Sequence, residues 1–221
     1  MLVAAVVIGM RMERAVASPT ARGARMAALP PEPLSLEGAA VHGRADAPFG
    51  IVIFSDFQCP FSRRLAADVL PSLRRDYVDT GKALIAFRHM PIETIHPRAV
   101  PAARAAACAG AQGRFWPVHD RLFAQFNKLA DRDLRAHAQA AGVEMRAFGA
   151  CMAGTSDGAI DRDRAEGLAL SVRGTPSIFI GAMQSDGRLR AVRHYPGALP
   201  FEQFQQTLDA LLRERSVTAT K

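Results

Sequence analysis

Lysine is nearly missing from this chain of 221 residues: of 28 basic residues, only those at 82, 128 and 221 are lysine. The arginines that carry the formal charge of +7 are spread among acids, as in DRDRAE and LRERS, and no basic run is interleaved with aromatics. Nucleic acid is therefore not an expected partner, and the arginines read as solvated helix faces. Long apolar runs are also missing. The stretch Leu2–Met10 covers nine residues, against the roughly 20 that a membrane span needs. No phosphate-binding loop, glycine-rich dinucleotide turn or serine-nucleophile elbow is present. The six histidines do not fall at ligand spacing with carboxylates or cysteines, so no metal site is expected. Cysteine is scarce, with three residues at 59, 108 and 151. In an oxidising compartment, an odd count suggests one reactive thiol plus one pair.

The compartment is argued from the N-terminus. Residues 1–17 have the apolar core of an export signal and end on Ala15-Val16-Ala17, a small-x-small cleavage pattern before Ser18. No positive charge precedes the core, and Arg11, Glu13 and Arg14 interrupt it. An uncleaved amphipathic anchor is the alternative. Export to the bacterial periplasm or cell envelope is the expectation, with residues 18–40, rich in Pro, Ala and Gly, as a linker.

A hydrophobic fraction of 49% supplies a core for one domain with an insertion. IVIF at 51–54 is a β-branched apolar run of the kind buried on both faces of a parallel sheet. CPFSRRLAADVLPSLRRDY reads as a helix with Leu65, Val69 and Leu73 inward and a kink at Pro71. ALIAF at 83–87 completes a βαβ unit. From about 97 to 172 the chain is Ala-rich with helical spacing, an insertion of four or five helices. SIFI and RLRAVRHY then form a hairpin across QSDG, and a last helix carries Phe201, Phe204, Leu208, Leu211 and Leu212 on one face. The fold class is α/β, in the order βαβ, helical insertion, ββα.

The chemistry concentrates at FSDFQCPFSRR. Cys59 follows a buried strand and opens a helix, where free N–H groups and the helix dipole favour negative charge. Thiols so placed are commonly shifted from about 8.5 into the range 3.5–7.5. Pro60 suits a first helical turn. An inert buried cysteine before a proline is the structural alternative. In RGTPSIFI, Thr175-Pro176 precedes a strand. A cis proline there would leave the Thr175 backbone free to pair with an extended peptide.

The order GRADAPFGIVIFSDFQCPFS, then FRHMPI…HPRAVPAARAAACAGAQGRFWPVHDRLF, then SVRGTPSIFIG and GALPFEQFQQTL resembles the DsbA-like thiol–disulfide oxidoreductases of the thioredoxin superfamily, over about residues 40 to 213. The resemblance implies a thioredoxin-like fold in a domain spanning 41–215 with the helical insertion at about 97–172, and a tail at 216–221. It makes Cys59 the nucleophile, Ser62 the resolving position, and Pro60, Phe61, Thr175 and Pro176 the substrate-binding surroundings. It departs twice: Ser62 stands where a second cysteine is usual, and Ile53 where many members carry a buried acid. A monothiol can still form mixed disulfides with protein or peptide thiols and disulfides. Ser62 can hydrogen-bond its thiolate but cannot expel the partner, so release falls to glutathione, another small thiol or a second cysteine on the substrate, with a membrane redox partner as a further candidate partner. Oxidation of the thiolate to a sulfenic acid is also open to it. Beyond glutathione as co-substrate, no cofactor is implied. The resemblance further implies a structural Cys108–Cys151 disulfide, with two buried free thiols, or a role in resolving Cys59, as alternatives. Two other functions remain: a non-catalytic peptide-binding module, and a glutathione-dependent transferase or isomerase on the same fold.

Overall fold

The computed structural model describes residues 29–154 and 157–219, so the export-like segment, residues 18–28 of the linker, residues 155–156 and the last two residues lie outside the described residues. Five strands form one sheet in the order β1-β3-β2-β4-β5: β1 (Ala40–His42), β2 (Phe49–Ser55), β3 (Ala83–His89), β4 (Ser177–Met183) and β5 (Leu189–Pro196). Strands β2 and β3 are parallel and buried along their whole length, as their uninterrupted apolar runs require. The other neighbouring pairs are antiparallel.

Alternation along the strands splits the sheet into two apolar faces. Ile51, Ile53, Ile85, Ile178 and Ile180 pack with Leu65, Val69 and Leu73 of the first helix and with Phe204 and Leu208 of the last. Val52, Phe54, Leu84, Ala86 and Phe179 face the other way, onto Leu34, Met90, Val172 and Leu189.

The first helix, α1, runs from Pro60 to Val78, but not as a kinked α-helix. Its segments Pro60–Arg64 and Leu70–Leu73 alternate with two π turns, Leu65–Val69 and Arg74–Val78. Leu70 N–H reaches back five residues to the Leu65 carbonyl, immediately before Pro71, which has no N–H to give. The wider turn takes up the break in the ladder that a proline imposes, where a kink is the simpler expectation.

Five helices follow: α2 (Ala99–Gly110), α3 (Phe115–Ala124), α4 (Asp131–Ala140), α5 (Met145–Ala153) and α6 (Gly158–Ala169). The first four build a second core around Phe115, Val118, Leu122, Leu134 and Phe148. Helix α6 instead lies on the sheet, so the insertion ends before 172. A Cβ at Gly167 would sit 2.9 Å from Met90 Sδ and 3.2 Å from the Phe54 ring, the approach that only glycine permits. The final helix, α7 (Phe201–Ala219), carries the chain through the expected tail.

The linker expected to reach residue 40 is also corrected. Leu34 is buried and exchanges both backbone hydrogen bonds with Leu189 at 2.8 Å. Arg88 on β3 donates to the Ser35 and Glu37 carbonyls while its guanidinium pairs with buried Asp163 at 2.7 Å. A buried guanidinium needs every partner it can find, and the carbonyls of 35–37 supply two, which docks a Pro-rich segment that composition alone marks as free.

Within the second core sits a cluster of Phe57, Phe87, Phe115, Trp116 and Phe123 with His89 and His119. Burial lowers the pKa of both histidines; His89 falls to about 3, helped by the nearby His119 and Arg88, while for His119 the bond to Asp120 opposes the fall. The unfolded chain protonates them near 6.5 and the folded chain does so only at lower pH. Stability therefore declines as pH drops below 6.5; for His89 the loss continues towards pH 3 at up to about 1.4 kcal/mol per pH unit, and His119 adds to it in the same direction. Urea unfolding at pH 7, 6, 5 and 4 checks this. His89→Phe should flatten the slope by roughly one proton; an unchanged slope would contradict it.

Candidate active site

Strand β2 ends at Ser55, and the chain turns through Asp56, Phe57 and Gln58 into Cys59, the residue that caps α1. Asp56 makes this turn. Its side chain is wholly enclosed, yet each oxygen is used: Oδ1 accepts from Gln58 N–H at 2.7 Å, and Oδ2 accepts from Ile92 N–H at 2.8 Å and lies 2.8 Å from His96 Nδ1. Its backbone carbonyl accepts from Cys59 N–H. The Gln58 side chain then accepts from Arg98 N–H at 2.6 Å, at the start of α2. One carboxylate thus joins the Cys59 turn to the loop after β3, and Gln58 joins that turn to the helical layer.

Cys59 is 4% exposed and is the one free cysteine. Its Sγ–H donates to the Thr175 carbonyl oxygen at 3.1 Å, across 116 residues of sequence. The Thr175-Pro176 peptide bond is cis. The two motifs singled out in the sequence therefore meet at the sulfur. Pro60 is exposed and fills the first helical turn, and Phe61 projects into solvent at 59% exposure. Among the described residues the buried Ser62 hydroxyl has no hydrogen-bond partner, nor has the Thr175 hydroxyl. Ile53 is buried among Leu65, Val69 and Ile178, so this level of the sheet is an apolar contact.

Cys108 and Cys151 are joined in a disulfide between α2 and α5, with Cα atoms 5.8 Å apart. Closing a loop of 43 residues restricts the unfolded chain, an effect worth about 4 kcal/mol at most. Neither sulfur is free to attack a disulfide at Cys59. Among the described residues, no group of three or more His, Cys, Asp or Glu is placed to hold a metal.

Asp56 and His96 were missed by the sequence reading. The motif SDFQCP does contain a signal for the first: an Asp whose side chain bonds the N–H two residues on is an ordinary turn former. The second lies 40 residues away in sequence and carries no local signal.

A family model described as Thioredoxin matches residues 35–210. Among sequence relatives, the Na(+)/H(+) antiporter NhaA 1 of Mycolicibacterium gilvum is 34% identical over 169 residues, which is 72% of this chain and 27% of that protein. The chain thus spans about a quarter of the length of such relatives. Disulfide bond formation protein D of Bacillus subtilis is 28% identical over 89 residues, 40% of each chain. Of solved structures, Wolbachia pipientis α-DsbA1 superposes with a TM-score of 0.71 at 21% identity, covering 84% of this chain and 96% of that one. BdbD of Bacillus subtilis gives 0.67 at 19% identity, over 82% and 96%. At these identities the two structures speak to the fold.

Replacing Asp56 by Ala takes the acceptor from two part-buried backbone N–H groups, at Gln58 and Ile92, each loss costing about 1 kcal/mol. Amide exchange at those two positions should accelerate several-fold or more while β2 and β3 keep their relative protection. Alkylation of Cys59 should quicken as its turn loosens. Unaltered exchange at Gln58 and Ile92 would remove Asp56 from this role.

Proposed function

The chain belongs to the thioredoxin family, in its DsbA-like form with an inserted helical layer, and from that premise we propose that it catalyses thiol–disulfide exchange on polypeptides through the single thiol of Cys59. The observation that carries the reading is the 3.1 Å contact between Cys59 Sγ and the Thr175 carbonyl beside cis-Pro176. It sets the reactive sulfur against an edge of backbone on which an extended peptide can pair.

The exchange proceeds in two displacements. The Cys59 thiolate attacks one sulfur of a client disulfide, forming a mixed disulfide and releasing the other client sulfur as a thiolate, which takes up the proton Cys59 gave up. A second thiolate then attacks the client sulfur and restores the Cys59 thiolate. In dithiol relatives the residue at the position of Ser62 supplies that second attack. Here it comes from the client's own second cysteine, which isomerises the client, or from glutathione or a membrane redox partner, which leaves the client on a new disulfide. No electrons are gained or lost overall, so no cofactor enters. The exposed side chains of Phe61, Ile95 and Leu168 offer apolar surface to an unfolded client. An extracytoplasmic setting fits a chain that keeps Cys108 and Cys151 oxidised.

Incubation with oxidised glutathione followed by intact mass measurement tests this. The wild-type protein should take up one glutathione, lose it on addition of reduced glutathione, and take up none as Cys59→Ala. Ser62→Cys should instead pass rapidly through the adduct and end two hydrogens lighter, as the introduced thiol closes on Cys59. Absence of a Cys59-dependent adduct would discard the exchange reaction and leave a peptide-binding module on the same groove.

A further inference from the structure

A cavity of about 390 Å³ opens between the start of β1 and the helices α2 and α3, among residues that the exchange chemistry does not use. Its walls include Phe87, Phe115 and Trp116, with Ala107 and His89. The volume falls in the range of small-molecule sites, and three aromatic rings supply flat apolar surface in a lining that is as polar as it is apolar.

His89 is the unusual member. It is 6% exposed, its imidazole forms no hydrogen bond among the described residues, and Nδ1 is fully enclosed without a partner. Each of the other buried histidines has at least one ring nitrogen in a hydrogen bond: His119 Nδ1 with Asp120, His137 Nε2 with the Lys128 carbonyl, and His194 Nε2 with Ser177. A buried polar ring left alone in this way is costly and asks for an explanation. Nδ1 is enclosed, so a partner can be added only at Nε2, and His89 forms part of the wall of a cavity large enough to hold one.

We infer that the cavity binds a small phenol, its ring lying against Phe87, Phe115 and Trp116 and its hydroxyl bonded to Nε2 of His89. Burial keeps His89 neutral. A neutral imidazole offers one N–H and one lone pair, and a hydroxyl, which both donates and accepts, satisfies either tautomer. A carboxylate is a poorer match, because Arg88, the nearby cation, is already held by Asp163 and Glu166. An ammonium group would meet that same positive charge. The phenol can arrive as a free metabolite or as a tyrosine side chain of a polypeptide; the chemistry is shared.

Trp116 is the chain's only tryptophan and lines the cavity, so its indole N–H resonance in proton–nitrogen correlation spectra reports from the site. Titration of the full chain with para-cresol should shift that resonance saturably, with a dissociation constant of about a millimolar or below. Toluene, the same ring without the hydroxyl, should bind about tenfold more weakly. Ala107→Phe, which fills the cavity, should abolish both shifts, and His89→Phe should erase the preference for para-cresol over toluene. N-acetyltyrosinamide separates the sources: binding at least as tight as para-cresol assigns the site to polypeptide tyrosine, and weaker binding assigns it to free phenols. A Trp116 resonance unmoved by para-cresol at its solubility limit overturns the proposal. So does a shift that survives Ala107→Phe, or equal affinity for toluene and para-cresol in the wild-type chain.

Discussion

The buried carboxylate of Asp56 is the constraint from which the site's geometry follows. A charge or polar group taken out of water is stable only where hydrogen bonds replace the ones it has lost. Here they come from Gln58 N–H, Ile92 N–H and His96. The donors serve two ends: the first shapes the turn into Cys59, and the other two pin the loop that leaves β3. Gln58, oriented by the same turn, caps the approach to α2 through Arg98 N–H. The nucleophile, the sheet and the inserted helices are thereby registered to one another within a few ångströms. A carboxylate that orders three segments is worth retaining although it takes no part in the exchange.

The two departures at Ser62 and Ile53 belong together in the structure as they do in the chemistry. Ser62 is buried one helical turn after Cys59. Ile53 lies beneath α1 with Leu65 and Val69, in a register that sets it beside Phe87 and Ile178. An acid at 53 would be surrounded by hydrocarbon and would have only a resolving thiol to serve. With serine at 62 there is no such thiol, and an isoleucine there adds to the core instead of interrupting it.

Much of this was legible in the order of residues. The apolar runs at 51–54 and 83–87 declared buried parallel strands, and the helix start at Cys59 and the turn at Thr175-Pro176 were found from local pattern. What local pattern could not give was anything decided across the fold. The docking of residues 34–37 depends on Arg88 and Leu189, partners 51 or more positions away. The π turns of α1 depend on how the chain absorbs Pro71 while keeping Leu65, Val69 and Leu73 inward. Helix α6 reads as part of an insertion because it is helical and follows helices; its place on the sheet is set by Asp163 and Gly167, whose partners Arg88, Phe54 and Met90 all come from the first half of the chain. The Asp56–His96 pair failed to show for the same reason.

The distribution of sulfur bears on the direction of the proposed reaction. Two of the three cysteines are joined to each other across the helical layer, and the third faces a carbonyl with no thiol beside it. A dithiol site can store an oxidising equivalent as an internal disulfide and deliver it later. A lone thiol stores nothing between turnovers except a mixed disulfide with whatever molecule it last met. Its redox poise is then that of the surrounding thiol pool rather than its own. The reaction such a site favours is rearrangement of existing disulfides, since attack and release leave the total number of disulfides unchanged. Net oxidation would require the partner that supplies the second sulfur to bring the electrons' destination with it. Replacing one sulfur atom by oxygen at position 62 therefore alters which reactions the same scaffold can complete without help, while leaving the fold that presents Cys59 intact.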